Sequence, residues 1–388
     1  MIAYHKNWLD NLYIQEQAEE AVAHDCISGE EQAAIKERYT VRFYTPNFFI
    51  RVGLFLLTAI IACFALGLFT LMTIDASSSA VFGILLLFTA GLSYGALEYF
   101  VQQNNHYRSG VDDALLWFSL ICFMSGANCF RELPELVNAG LLFVASLYLS
   151  LRYADTLMSA VACISALGVL FFAYLELGTI AKPTMPFVMM AGAAGIYFIG
   201  QWLAGMRNSK YYRHCLVVVK VVALLSFYVA GNYFVVREMS NELFGLQLKE
   251  GEGIPFGWVF WALTVGVPMG YMYRGVQKKD AVFLRVGLLL VAAMVFTIRY
   301  YHHMMPLEVA MIIGGAVLMG TAYFLIRYLR QSRNGFTYKE GYEPSPINKL
   351  QVEALVINQT FSTPQTAEPT GTQFGGGSGG GAGAGGGY

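Results

Sequence analysis

The residues best equipped for chemistry lie close together near the carboxyl-terminal end of the apolar region. Arg299-Tyr300-Tyr301-His302-His303 is followed by Pro306 and Glu308, and Glu176 closes an earlier apolar stretch. Two imidazoles near carboxylates can relay a proton or bind a metal. The spacing matches no metal-ligand motif, and each residue also has an interfacial role. Arg299 complements a helix carboxyl end and Glu308 an amino end. Pro306 suits a first helical turn, and the two tyrosines suit an aromatic belt. The interfacial reading is favoured. The sharper reading is a candidate polar site of Glu176, Arg299, His302, His303 and Glu308, with no catalytic, cofactor or metal ligand assigned.

Long apolar stretches must position these residues. The chain has 388 residues, of which 56% are hydrophobic and 13% charged. A soluble protein of this length would carry more charge on its surface. About ten stretches are long enough to cross a bilayer. They are read at 48–72, 80–100, 114–130, 136–151, 156–177, 184–206, 214–236, 254–273, 281–300 and 306–329. The third and fourth are short and are open to reading as a re-entrant pair. The expected fold is an all-α polytopic bundle. It comprises a helical hairpin over 1–45, a transmembrane domain over 46–332 and a mostly disordered Pro/Thr- and Gly-rich tail over 333–388.

Charge gives the bundle an orientation. Fifteen lysines and arginines fall on the side of the amino terminus, against five on the other. The positive-inside rule makes the first side cytoplasmic and places both termini there. The candidate polar site is then extracytoplasmic. A net charge of −1 offers nothing to attract nucleic acid. The bilayer is the expected partner, and the cytoplasmic termini are where a protein partner would bind. The six cysteines show no ligand spacing and read as small apolar residues.

In the first 45 residues, Trp8, Leu9, Leu12, Ala18, Ala21 and Val22 recur at helical spacing. His24-Asp25-Cys26 breaks the pattern, and Ser28 with Glu31 forms a capping box for a second helix. The hairpin is expected to dock on the membrane domain or a partner, because so small a pair buries little by itself.

Within the spans, Gly91 with Gly95 and Gly266 with Gly270 are expected to pack helices. No charge sits at a span's midpoint, which counts against ion-coupled transport. Lys220 is expected to snorkel toward the headgroups. Arg51-Val52-Gly53-Leu54 recurs as Arg285-Val286-Gly287-Leu288, which reads as the ordinary start of an inside-to-outside span more than as a repeat. Gly376-Gly377-Ser378-Gly379-Gly380 matches a nucleophile elbow without the strand and helix that motif needs.

The turn Cys26-Ile27-Ser28-Gly29-Glu30-Glu31-Gln32-Ala33, the closing pair around Arg285 and Arg299, and the Gly-rich tail resemble uncharacterised bacterial multipass membrane proteins. The resemblance implies an inner-membrane architecture and no catalytic residues. The functional expectation is a non-enzymatic scaffold or sensor acting through its cytoplasmic termini. Its alternative is a small-solute transporter or channel gated at the outer polar site. An intramembrane enzyme ranks last.

Overall fold

The computed structural model describes residues 2–23, 25–72, 78–130, 132–178, 181–206, 209–242, 254 and 256–301, with scattered helical positions between 312 and 327. These residues are almost wholly helical. The first two helices are α1 (Lys6–Ala23) and α2 (Gly29–Arg38). The membrane region begins with α3 (Phe48–Met72), α4 (Ser79–Gln102), α5 (Val111–Phe130) and α6 (Glu135–Tyr153). It continues with α7 (Thr156–Leu175), α8 (Ala181–Ala204), α9 (Arg213–Gly231), the short α10 (Tyr233–Glu242), α11 (Gly257–Lys278) and α12 (Ala281–Tyr301).

Eight of these helices, α3 to α9 and α12, are long and apolar enough to cross a membrane. They include α5 and α6, the pair open to a re-entrant reading. At 20 and 19 residues, each spans about 30 Å of hydrocarbon at 1.5 Å per residue. α11 is as long, but its tryptophans, tyrosines and glycines leave it less apolar. The stretch expected at 306–329 lies outside the described residues.

Polar contacts between helix ends show that the bundle runs up and down. At one end, Arg51 in the first turn of α3 meets Asp113 in the first turn of α5. Glu98 near the end of α4 meets Arg152 near the end of α6. Lys220, well inside α9, reaches back to this end to meet Asp280, the residue before α12. At the opposite end, Asn128 of α5 bonds Asn138 of α6, and Tyr174 of α7 bonds Thr184 of α8. Asn232 after α9 reaches Thr297 of α12. Strict alternation of direction satisfies every one of these pairs.

The amino-terminal hairpin folds as its sequence predicts. Ser28 Oγ accepts from the Glu31 amide, and Glu31 accepts from the Ser28 amide, so the capping box is complete. The hairpin docks on the first end of the bundle, called the hairpin end below. The Ala3 amide donates to the Arg152 carbonyl at 2.8 Å, and Lys210 pairs with Asp10 at 2.7 Å. Tyr4 and Leu9 are buried with Leu97, Val101, Leu115, Leu149 and Met158 in one core cluster.

Three expectations change. A Cβ on Gly91, Gly95, Gly266 or Gly270 would meet nothing within 4 Å, so these pairs pack no helix among the described residues. Close approach occurs instead at Gly83 against Cys129 and Gly126, and at Gly275 against Leu284. Lys220 reaches toward the hairpin-end interface but ends on a carboxylate instead of headgroups. Its ammonium pairs with Asp280 and lies 4.9 Å from the Phe283 ring centroid, and its side chain is 14% exposed. The span expected to end at 236 stops at Gly231. Asn232 then leaves helical geometry, and its Oδ1 accepts from the amides of Phe234 and Val235 to start α10. The two Arg-Val-Gly-Leu segments also differ: Gly53 faces open space, whereas Gly287 packs on Met272. Their likeness is that of two spans beginning at the same end.

Candidate functional site: a polar seat at the hairpin end

The densest polar chemistry lies at the hairpin end, away from the outer residues singled out by the sequence. The short connection between α4 and α5 organises it. Gly110 has φ +93°, and a Cβ there would lie 2.1 Å from the Arg51 carbonyl oxygen. Only glycine lets the amino end of α3 come this close. Arg108 also takes the left-handed conformation, as does Ala154 in the α6–α7 turn.

Asp112 anchors the connection. Its Oδ1 accepts from the amides of Ser109 and Gly110 and from Ser109 Oγ, at 2.8, 3.1 and 3.0 Å. His106 Nδ1 is 2.8 Å from the same Ser109 oxygen. Because Ser109 donates its proton to Asp112, it must accept from His106, which fixes the imidazole as the Nδ1–H tautomer. The trio has the residue types of a hydrolase triad in the wrong order. The carboxylate holds the serine proton and the imidazole cannot remove it, so the set caps α5 and does not generate a nucleophile.

Asp113 points the other way. Its Oδ2 accepts from Arg51 Nε at 3.0 Å and Nη2 at 2.6 Å. Asp155 caps α7 by accepting from the Met158 amide at 2.7 Å. Burial pushes the Asp155 carboxyl above its usual range, against that amide and the charge of Arg108. Tyr4 sits over this group and, with Arg108, Asp112, Asp113, Tyr153 and Asp155, lines a small cavity. Burial, followed by the charge of Asp112, raises the Tyr4 phenol well above its ordinary value, so it stays protonated. Its ring meets Tyr107 edge-on at 4.8 Å and Phe43 at 5.9 Å.

A second hub adjoins the seat. Glu98 accepts from Arg152 Nε and Nη2, both at 2.9 Å. It also accepts from Tyr153 Oη at 2.8 Å, Tyr94 Oη at 2.9 Å and the side-chain Nε2 of Gln102. Tyr94 and Tyr148 share a further bond at 2.8 Å. A carboxylate with this many donors is positioned rigidly. The arrangement locks the ends of α4 and α6 together and hands the Arg152 carbonyl to the hairpin.

The residues predicted for the outer site fall differently. Glu176 is exposed at the end of α7. Arg299 lies in the last turn of α12, and its Nη1 is buried without a hydrogen-bond partner among the described residues. No ion pair joins the two among the described residues. His302, His303 and Glu308 lie outside the described residues. Among the described residues, no cluster of three or more His, Cys, Asp and Glu side chains is disposed to hold a metal.

Sequence reasoning passed over Tyr4, Arg108, Asp112, Asp113 and Asp155. The consecutive acids Asp112 and Asp113 at a span's start, opposite Arg51 at another's, were the available signal. Fold and seat together define a polytopic α-helical membrane protein with a polar end closed by its own amino terminus. No family model, curated protein or solved structure matches the chain.

Proposed function

We propose that this protein is a sensor or scaffold of the bacterial inner membrane that acts through cytoplasmic termini, as the charge asymmetry and the resemblance to uncharacterised bacterial membrane proteins suggest. Residues 1–45 are the cytoplasmic hairpin, 46–332 the membrane domain and 333–388 a tail that tethers or recruits. The observation carrying this reading is the seating of Tyr4 over Arg108, Asp112 and Asp113. It couples the amino-terminal segment to a cluster of charged side chains at the ends of several helices. A shift in those helices changes the seat, and a pull on the hairpin changes the helices. α2 has no buried residue, so its surface is open to a partner.

The test pairs two measurements on the full chain. A photo-crosslinker at Glu37 on α2 should trap a protein partner in cells, and Tyr4→Ala should alter that yield. Purified protein in liposomes should pass no small solute. Flux that Arg299→Ala abolishes sinks the scaffold reading. It would favour a transporter gated by Glu176, Arg299, His302, His303 and Glu308. The buried Nη1 of Arg299, which has no hydrogen-bond partner among the described residues, is the feature that supports this second reading.

A further inference from the structure

α8 and α11 both pack on α9, and the space between them is a groove of about 310 Å³. Ala194 and Tyr197 form one wall and Tyr271 the other; Phe227 lies along the α9 floor, and Phe283 stands near the mouth. Nearly all of the lining is apolar. The exception is Arg274, which is exposed and has no hydrogen-bond or ion-pair partner among the described residues.

Depth identifies what fits. Arg274 is four residues from the last residue of α11, about 6 Å below the hairpin end at 1.5 Å per residue. Ala194 is ten residues from the end of α8, about 15 Å down. The groove therefore runs from the headgroup level to about half the ~30 Å hydrocarbon thickness. That is the path of an acyl chain in one leaflet.

Charge identifies the headgroup. Asp280, the acid next to the mouth, is paired with Lys220. Lys278, also exposed at the end of α11, does not line the groove, so Arg274 is the groove's basic group among the described residues. The Tyr197 hydroxyl has no hydrogen-bond partner among the described residues and is available as a donor on the wall. We infer that this groove binds an anionic glycerophospholipid of the hairpin-side leaflet, with its phosphate on Arg274 and an acyl chain along Ala194 and Phe227. Basic pockets between helix ends are where such headgroups bind. The inference holds whichever side of the membrane the hairpin faces, and it does not depend on the proposed function.

The experiment uses delipidated full-length protein in detergent. It is titrated separately with phosphatidylglycerol and phosphatidylcholine, and lipid adducts are counted by native mass spectrometry. The wild type should bind phosphatidylglycerol about fivefold more tightly, the effect of one basic group near an anionic lipid. Arg274→Gln should erase that preference while still binding both lipids, and Arg274→Lys should keep most of it. Ala194→Phe should weaken both lipids by filling the channel. Millimolar inorganic phosphate should not compete. An equal affinity for the two lipids in the wild type overturns the inference, as does a preference that survives Arg274→Gln. So does displacement by phosphate, which would mark an ion site. A wild type that takes up neither lipid overturns it too, because the groove would then be filled by the chain itself or a second copy.

Discussion

Arg152 holds Glu98 through two N–H groups, each at 2.9 Å, although the residues are 54 positions apart in the chain. The pair is largely shielded, with side chains 26% and 19% exposed. Breaking it from one side leaves the other charge buried and uncompensated. Arg152→Leu should therefore destabilise the protein by about 3 kcal/mol, in the range for a broken buried pair. Glu98→Leu should cost at least as much, because the hydroxyls of Tyr94 and Tyr153 lose an acceptor with it. The double variant should be less damaging than the sum of the singles. Thermal unfolding in detergent gives all four corners of the cycle. Additive losses would show that the two residues stabilise separate parts of the bundle.

Gly110 tests whether the approach of α3 to the α4–α5 connection is required. Its φ is +93° and its Cβ position is 2.1 Å from a backbone oxygen that cannot rotate away. Gly110→Ala should fail to fold or should unfold far earlier than wild type. Gly91→Ala is the matched control. It meets nothing within 4 Å and replaces a poor helix former, so its effect should be neutral or stabilising by up to about 1 kcal/mol. A tolerated Gly110→Ala would refute the close approach.

These two glycines also show what the sequence could disclose. Helix ends were legible because apolar run length and capping chemistry are local. Ser28 with Glu31 announced α2, and the expected spans match α3 to α9 within a few residues, apart from the stop at Asn232. Which glycine is crowded depends on a neighbour far away in the chain, and no spacing rule reveals that. Asp112 and Asp113 are alike in sequence, yet one caps its own helix and the other reaches Arg51, 62 residues distant. The outer cluster drew attention because its residues are adjacent in sequence. The seat did not, because its members come from four separate segments: Tyr4, Arg51, the stretch from His106 to Asp113, and the turn from Tyr153 to Asp155.

His106 gives the seat a pH dependence. Burial lowers its pKa from the ordinary 6.5, and the charge of Asp112 only partly opposes this. Ser109, Tyr44 and Phe100 are its other close neighbours. The native imidazole thus stays neutral where the unfolded one gains a proton. The unfolded state binds more protons below pH 6.5, so stability is full above that value and falls as pH drops toward the lowered native pKa. Melting temperature measured between about pH 7.5 and about pH 5.5 should drop more for wild type than for His106→Gln, which keeps a donor for Ser109 but cannot titrate. Equal drops would mean that other groups control the acid limb.

Cys26 reports the sidedness of the membrane domain. It is exposed in the turn between α1 and α2, while Cys122, Cys163 and Cys215 are buried. A membrane-impermeant maleimide added to intact cells should leave Cys26 unmodified, and permeabilisation should expose it. Cys26→Ser identifies the signal. The expectation rests on basic residues gathered at the helix ends that the hairpin covers, including Arg51, Arg152, Arg213 and Arg274. Moving so many cations across the bilayer opposes the usual insertion bias. The alternation of α3 to α12 fixes which helix ends share a side, so one label orients the whole bundle. Modification in intact cells would invert every helix at once, turning the polar seat outward and the end bearing Arg299 toward the cytoplasm.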